Sequence, residues 1–243
     1  MSKFPLRPLC AALGAAALIA CAPARANLVY LPAENALFQG AGLGAVNTLL
    51  TLKSPGNSGS ESGAVFAVGS GLGNSGDASH GASQFSLPTL GALGIGRASD
   101  LRLVLNAAEP AGNSITVRQL TLSFYDALGA PLTSFVLGDA LTLGSTHTGI
   151  GQAGFVFGLD AAQSTLAGMA IDSSGTRWAD VRVGLAASLT DATGGPETFF
   201  ITSAAPVAPP VTEPGSAAMF AAGLALFGLL QHRRRRWPGA QQV

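Results

Sequence analysis

The sequence predicts an all-β body, an antiparallel β-sandwich or jelly-roll-like domain, flanked by a signal peptide and a C-terminal transmembrane helix. Three observations carry this. Short apolar segments recur with a period of two, the spacing at which alternate side chains line one face of a strand. Glycine is abundant, 32 of 243 residues, and clusters between those segments. Only 11% of residues are charged and 48% are hydrophobic, a composition that supports a packed core rather than a disordered chain. The length suits one domain with appendages. The expected organisation is a signal peptide at 1–26, a β-rich extracytoplasmic body at 27–203, a Pro-rich linker at 204–214, an apolar tail with an Arg cluster at 215–236, and a cytoplasmic end at 237–243.

The first segment has the three parts of a secretory signal. Lys3 and Arg7 make a positive start, Leu9 to Ala22 form a short apolar stretch, and Ala24-Arg25-Ala26 supplies a small-x-small cleavage site before Asn27. A second reading stays open: Leu18-Ile19-Ala20-Cys21 resembles a lipobox, which would leave a lipidated Cys21 as the first residue. The Ala26 site is preferred, because a lipid would duplicate the anchor at the other end. Both cysteines, Cys10 and Cys21, precede that site, so the mature body has no thiol for a disulfide or a metal.

Within the body, the earliest strand candidates are Asn27–Leu31, Val46–Lys53, Ala64–Gly69 and Gln84–Leu87. Leu101, Leu103 and Leu105 then alternate with Arg102, Val104 and Asn106. Ile115 and Val117 keep one parity and Leu120, Leu122 and Phe124 the other, so a β-bulge is expected at Arg118-Gln119. Asp126 to Pro131 reads as a turn, with Leu132 to Leu137 as the returning strand. Phe155, Phe157 and Leu159 alternate, as do Val181, Val183 and Leu185, and Phe199 to Ile201 close the series. Asp160 to Met169 is the one short helix expected. Ser54–Gly63 and Gly69–Ser83, dense in Gly, Ser and Asn, read as loops.

The tail has three parts in order. Pro206, Pro209, Pro210 and Pro214 make residues 204–214 an extended spacer. Gly215 to Leu230 is uncharged; its 16 residues reach about 24 Å as a helix, short of a bilayer core of about 30 Å. Arg233, Arg234, Arg235 and Arg236 follow directly, a stop-transfer cluster that the positive-inside rule holds in the cytoplasm. The body then faces outward. Val211-Thr212-Glu213-Pro214, the apolar helix and the Arg cluster together resemble the PEP-CTERM sorting domain of exosortase substrates. Val211, Glu213 and Pro214 match the family's Val-Pro-Glu-Pro, while Thr212 stands in place of its first Pro. The resemblance covers residues 211–237 and implies an exosortase-type processing partner, cleavage near the Glu-Pro pair, passage through the inner membrane, and a final place at the surface of a Gram-negative cell that makes exopolysaccharide. It implies nothing about the fold of the body. A plain single-pass anchor is the alternative.

Charge separates the parts further. Between residues 27 and 210 there are six bases and twelve acids, a formal charge of −6. An acidic body without a basic cluster gives no footprint for nucleic acid, so no nucleic-acid partner is expected. Gly71-Leu72-Gly73-Asn74-Ser75-Gly76 matches a dinucleotide fingerprint in letters, but the following residues start no helix. His80 and His147 are isolated in polar loops and form no zinc motif. Asp126, Asp160, Asp172 and Asp191 sit near strand ends, where turn formation is the expected role over calcium binding. Trp178 and Tyr125 offer rings for a sugar, with core or edge packing favoured. No cofactor, metal or catalytic residue is expected. The chain reads as a non-enzymatic, structural or adhesive surface protein, with a carbohydrate-binding module for exopolysaccharide as the alternative.

Overall fold

A computed structural model describes residues 27–38, 46–56, 58–81, 84–145 and 153–204. The signal segment, its cleavage residues Ala24 and Ala26, the linker, the sorting motif Val211–Pro214, the apolar tail and its Arg cluster lie outside the described residues, as does His147. No helix among the described residues is long and apolar enough to cross a membrane.

The described body is β-rich. Its strands are β1 (Asn27–Tyr30), β2 (Thr48–Leu52), β3 (Ser60–Val68), β4 (Gly71–Gly76), β5 (Leu101–Ala107), β6 (Ser114–Tyr125), β7 (Pro131–Leu137), β8 (Leu141–Gly144), β9 (Ala153–Gly158), β10 (Arg182–Thr190) and β11 (Glu197–Ser203), with one helix, α1 (Ala161–Ser174). They form a single curled sheet in the order β2-β11-β5-β9-β1-β7-β6-β10-β3-β4. β10 pairs along the length of β6, so β7 and β8 share its other edge, β7 against Thr121–Tyr125 and β8 against Ser114–Val117.

The four residues of β1 join the two halves of the sheet. Asn27 and Leu28 pair in parallel with Val136 and Leu137 of β7, and Val29 and Tyr30 pair antiparallel with Gly158 and Phe157 of β9. The expected antiparallel sheet therefore has one parallel pairing, because β7 and β9 run in opposite directions and a strand that pairs with both can oppose only one of them. At the far ends the sheet nearly meets itself. Lys53 N donates to Asp77 O at 2.9 Å and Ser79 N donates to Thr51 O at 2.8 Å, linking β2 to the segment that follows β4.

Curling places the apolar faces of the two halves against each other. Leu103, Leu105, Phe157, Phe199 and Ile201 from one half share a buried cluster with Leu120, Leu122, Phe124, Val183 and Leu185 from the other. Phe124 and Phe135 meet edge-on at 5.9 Å, a favoured ring geometry. A second, smaller cluster covers the outer face of β5, β9 and β11, where Val104, Val156 and Phe200 pack under Leu31, Phe38 and Val46. The 3-10 turn Pro32–Phe38 forms part of that cover. It is pinned by Glu34, whose carboxylate accepts from Arg102 at 2.6 and 3.0 Å, and by Asn35, which accepts from Val156 N at 3.0 Å. Burial on both faces explains why Phe199–Ile201 in β11 is an unbroken apolar run.

The bulge expected at Arg118-Gln119 is present: Ser188 pairs with Gln119 and Leu189 with Val117, leaving Arg118 unpaired. Three expectations are corrected. Gln84–Leu87 is not a strand; Phe85 makes a single bridge to Leu50. Gly71–Gly76 and Ser60–Gly63, expected as loops, belong to β4 and β3, whose backbones pair from Gly63↔Gly76 to Val68↔Gly71. The helix runs five residues beyond Met169 and ends where Gly175 takes φ 72°, the left-handed region that glycine enters without strain.

Candidate functional site

One end of the curled sheet gathers the close of β2, the start of β3, the close of β5 and β10, and the start of β11. The pairings Ser60↔Thr190, Glu197↔Leu52 and Thr198↔Asn106 fix those ends side by side. Three glutamates converge there. Glu61 is the second residue of β3, Glu109 follows β5, and Glu197 opens β11; their exposures are 4%, 1% and 0%. Buried carboxylates normally have a cationic partner. The ion pairs among the described residues, Arg97–Asp100, Arg102–Glu34 and Arg177–Asp180, involve none of the three.

Backbone amides hold them instead. Glu109 accepts from Thr193 N at 2.6 Å, Gly194 N at 3.0 Å and the Thr193 hydroxyl at 2.9 Å. This needs the 191–196 loop to lie directly on Ala108, and a Cβ on Gly194 would collide with the Ala108 carbonyl. Glu197 Oε2 accepts from Ala108 N at 2.8 Å, and Glu61 Oε1 accepts from Ser54 N at 3.0 Å. The second oxygens, Glu61 Oε2 and Glu197 Oε1, are buried and accept no hydrogen bond.

The electrostatics follow. Burial, with the charges of Glu61 and Glu109 and a hydrogen bond with Glu109, pushes the Glu197 carboxyl up to about 8, against the pull of the Ala108 amide. A pKa of about 8 favours the protonated acid for Glu197 at neutral pH. Burial also raises Glu61, assisted by Asp77 and Glu109 and opposed by the Ser54 amide and Lys53.

A pocket of about 430 Å³ opens over this cluster. Lys53, Ser54, Glu61, Thr193, Gly194 and Gly195 are among the residues that line it; none of its lining residues is aromatic. Its size falls in the range of small-ligand sites, about 300–1,000 Å³. Glu61 alone of the three acids lines it, together with the Lys53 ammonium and a polar backbone rim; Glu61 Oε2, the oxygen without a donor, is itself buried from solvent.

The candidates named from sequence lie elsewhere. His80 is exposed, outside the pocket. Asp126 Oδ1 accepts from Leu128 N at 2.9 Å and Ala130 N at 2.8 Å, closing the β6–β7 turn. Asp160 caps α1 reciprocally with Gln163. Asp172 is exposed on α1, and Asp191 turns the chain after β10 at φ 65°. Among the described residues no group of three His, Cys, Asp or Glu is arranged to hold a metal ion. Trp178 is half-buried against the core and donates its indole N–H to Ile95 O at 2.6 Å, which turns its polar edge inward. The fingerprint Gly71–Gly76 is strand β4, with no helix behind it. The sequence reading does not single out the glutamates, although Glu109 and Glu197 border apolar runs, in Ala107-Ala108-Glu109-Pro110 and Glu197-Thr198-Phe199-Phe200; Glu61 sits among Ser and Gly and gives no such signal. No family model matches the chain, and neither the curated proteins nor the solved structures contain a match.

Proposed function

We propose that this chain is an exported surface or extracellular-matrix protein of the PEP-CTERM type, non-enzymatic and structural or adhesive, sorted and cleaved by an exosortase. The observation that carries it is the order at the C-terminal side: Val211-Thr212-Glu213-Pro214, sixteen uncharged residues, then Arg233 to Arg236. An apolar helix stopped by arginines arrests in the inner membrane with the preceding body outside. We read that body as a β-sandwich of the two facing sheet halves; their shared core supports this. In a host that carries an exosortase, mass spectrometry of the protein from membranes and medium is expected to find the released form shortened near Glu213-Pro214. Retention of all four arginines in every fraction would leave a plain anchor.

The alternative, a carbohydrate-binding module for exopolysaccharide, gains support from the pocket beside Glu61, whose lining of carboxylate, ammonium and hydroxyl groups suits a hydroxylated ligand. Trp178 is not the group on which that reading rests, since its indole N–H is engaged in the core. A hydrolytic role finds less support: glycoside chemistry sets two carboxyl groups either side of the scissile bond, and Glu61 is the single acid on the pocket wall.

A further inference from the structure

We propose that β4 is a docking edge for a second copy of this chain, which adds its own β4 antiparallel across a two-fold axis at Gly73. Such pairing involves the body alone and does not depend on the export reading. The two ends of the sheet order differ. β2 is covered on its outer side, where Lys53 N donates to Asp77 O, Thr51 O accepts from Ser79 N, and Leu50 bridges Phe85. β4, at the other end, pairs with β3 alone. Its turn decides which groups are left over. Val68 and Gly71 face each other across the two-residue turn Gly69-Ser70, so Gly71, Gly73 and Ser75 bond to β3 while Leu72 and Asn74 direct their N–H and C=O outward. No described residue bonds to those outward groups. Proteins blunt a free edge with lysine, proline, a bulge or a covering segment. β4 is Gly-Leu-Gly-Asn-Ser-Gly, uncharged in a body of formal charge −6, and its pairing with β3 has no register shift.

The occupant that fits is the same strand. A charged partner finds no charge on β4, whereas an uncharged strand meets its own copy without repulsion. Glycine inside a strand marks a place where another backbone can approach closely. The side chains of Phe66 and Val68 both lie over Gly73, each 2.7 Å from where a Cβ would stand. With Gly73 on the axis, its Cα stands about 4.5 Å from that of the other copy. The Phe66 and Val68 side chains of the two copies then form one apolar strip over a glycine floor, the way aromatics cover edge glycines across strands. Val68 is 60% exposed and gains cover there. On the opposite face Leu72, 43% exposed, lies against Asn74 of the other copy. Leu72 and Asn74 exchange both backbone groups in each direction, about four hydrogen bonds in all. A strand that pairs with itself about a two-fold axis closes at two copies, so the product is a dimer and not a fibre. One short strand pair is smaller than the about 1,200–2,000 Å² of a stable complex. Free bodies therefore pair weakly, and copies held on one surface pair well.

The test uses the full chain in detergent micelles, with Cys10→Ser and Cys21→Ser removing the native thiols. An equimolar mixture of Leu72→Cys and Asn74→Cys chains is expected to form a disulfide-linked dimer on mild oxidation, because the paired Cα atoms stand about 5.5 Å apart, within disulfide reach. Ser173→Cys, exposed on α1, should stay monomeric at the same concentration. Equal linking of that control, or no linking of the mixture, overturns the proposal. Hydrogen exchange of the unaltered chain reads the edge independently. The Leu72 and Asn74 amides should gain about tenfold protection or more as concentration rises through dimerisation. Asn74→Pro removes an outward donor and no bond to β3, so it should abolish the gain at Leu72. Should Asn74→Pro fail to fold, the mixture and the concentration dependence still decide. Protection that never rises overturns the proposal. Protection of both amides at every dilution overturns it too, since another part of the chain then covers the edge.

Discussion

Glu197 is fully buried, with one oxygen on the Ala108 amide and two acidic neighbours. Ionising it inside the fold costs more than in the unfolded chain, so the folded protein holds its proton from the ordinary value of 4.5 up to about 8. Between those limits the folded state binds more protons than the unfolded one, and stability therefore falls as pH rises, by up to about 1.4 kcal/mol per pH unit. Glu61, also raised, adds to the same trend. Glu197→Gln keeps an acceptor for Ala108 N and a donor toward Glu109 without titrating. Urea unfolding at pH 5 and pH 8 should show a smaller difference for this variant than for the parent chain. Glu197→Ala removes the acceptor and leaves a void, at a cost of about 2–4 kcal/mol at pH 5; an unchanged midpoint there would contradict the packing described. None of this was legible residue by residue. Glu61, Glu109 and Glu197 are far apart in sequence; the strand order sets Glu197 of β11 beside the end of β5, and the curl that brings the far ends of the sheet together sets Glu61 of β3 against Ser54 after β2.

Elements were legible where side chains alternate and illegible where they do not. The parity change between Val117 and Leu120 announced the bulge because every residue on the inner face of β6 is apolar and buried. β4 has no such pattern. Its sequence, Gly-Leu-Gly-Asn-Ser-Gly, is a strand through backbone pairing with β3 and close cover, since a Cβ on Gly73 would sit 2.7 Å from the side chains of Phe66 and Val68. Gly71–Gly76 is thus selected for room rather than burial, and composition alone reads it as a loop. α1 was visible through its start. Asp160 Oδ1 accepts from Gln163 N at 2.8 Å, and the Gln163 side chain accepts from Asp160 N at 2.9 Å, a capping box that fixes where the helix begins. The helix buries only Gln163, Ala167 and Ile171, so the cap is a large share of its stability. Asp160→Ala is expected to lower stability by about 1 kcal/mol, measured by urea denaturation, with Asp160→Asn recovering most of the loss; equal loss in both would mean the carboxylate charge matters and the cap does not.

At the scale of the molecule, order along the chain and order in the sheet disagree, and this governs how the body forms. β11 is made last yet lies between β2, near the beginning, and β5. It gives Phe199 and Ile201 to the main core and Phe200 to the outer cluster, so neither core closes until residue 201 is in place. The apolar run Phe199–Ile201 announced a strand; its position in the middle of one sheet half was hidden, because pairing partners as distant in sequence as Leu105 and Leu50 leave no periodic trace. A sheet closed by such distant contacts folds late and slowly, which suits a chain that must stay unfolded while it crosses a membrane under the export reading. The consequence is measurable in two truncated chains. One ending at Ala204 retains all eleven strands and should keep a cooperative urea transition with the near-ultraviolet signal of its packed aromatics. One ending at Pro196 lacks β11 alone and leaves β2 and β5 as open edges with the buried face of Leu50, Leu103 and Leu105 uncovered. It should show neither a cooperative transition nor a near-ultraviolet signal, and a native-like transition in that chain would mean the two sheet halves close without their central strand.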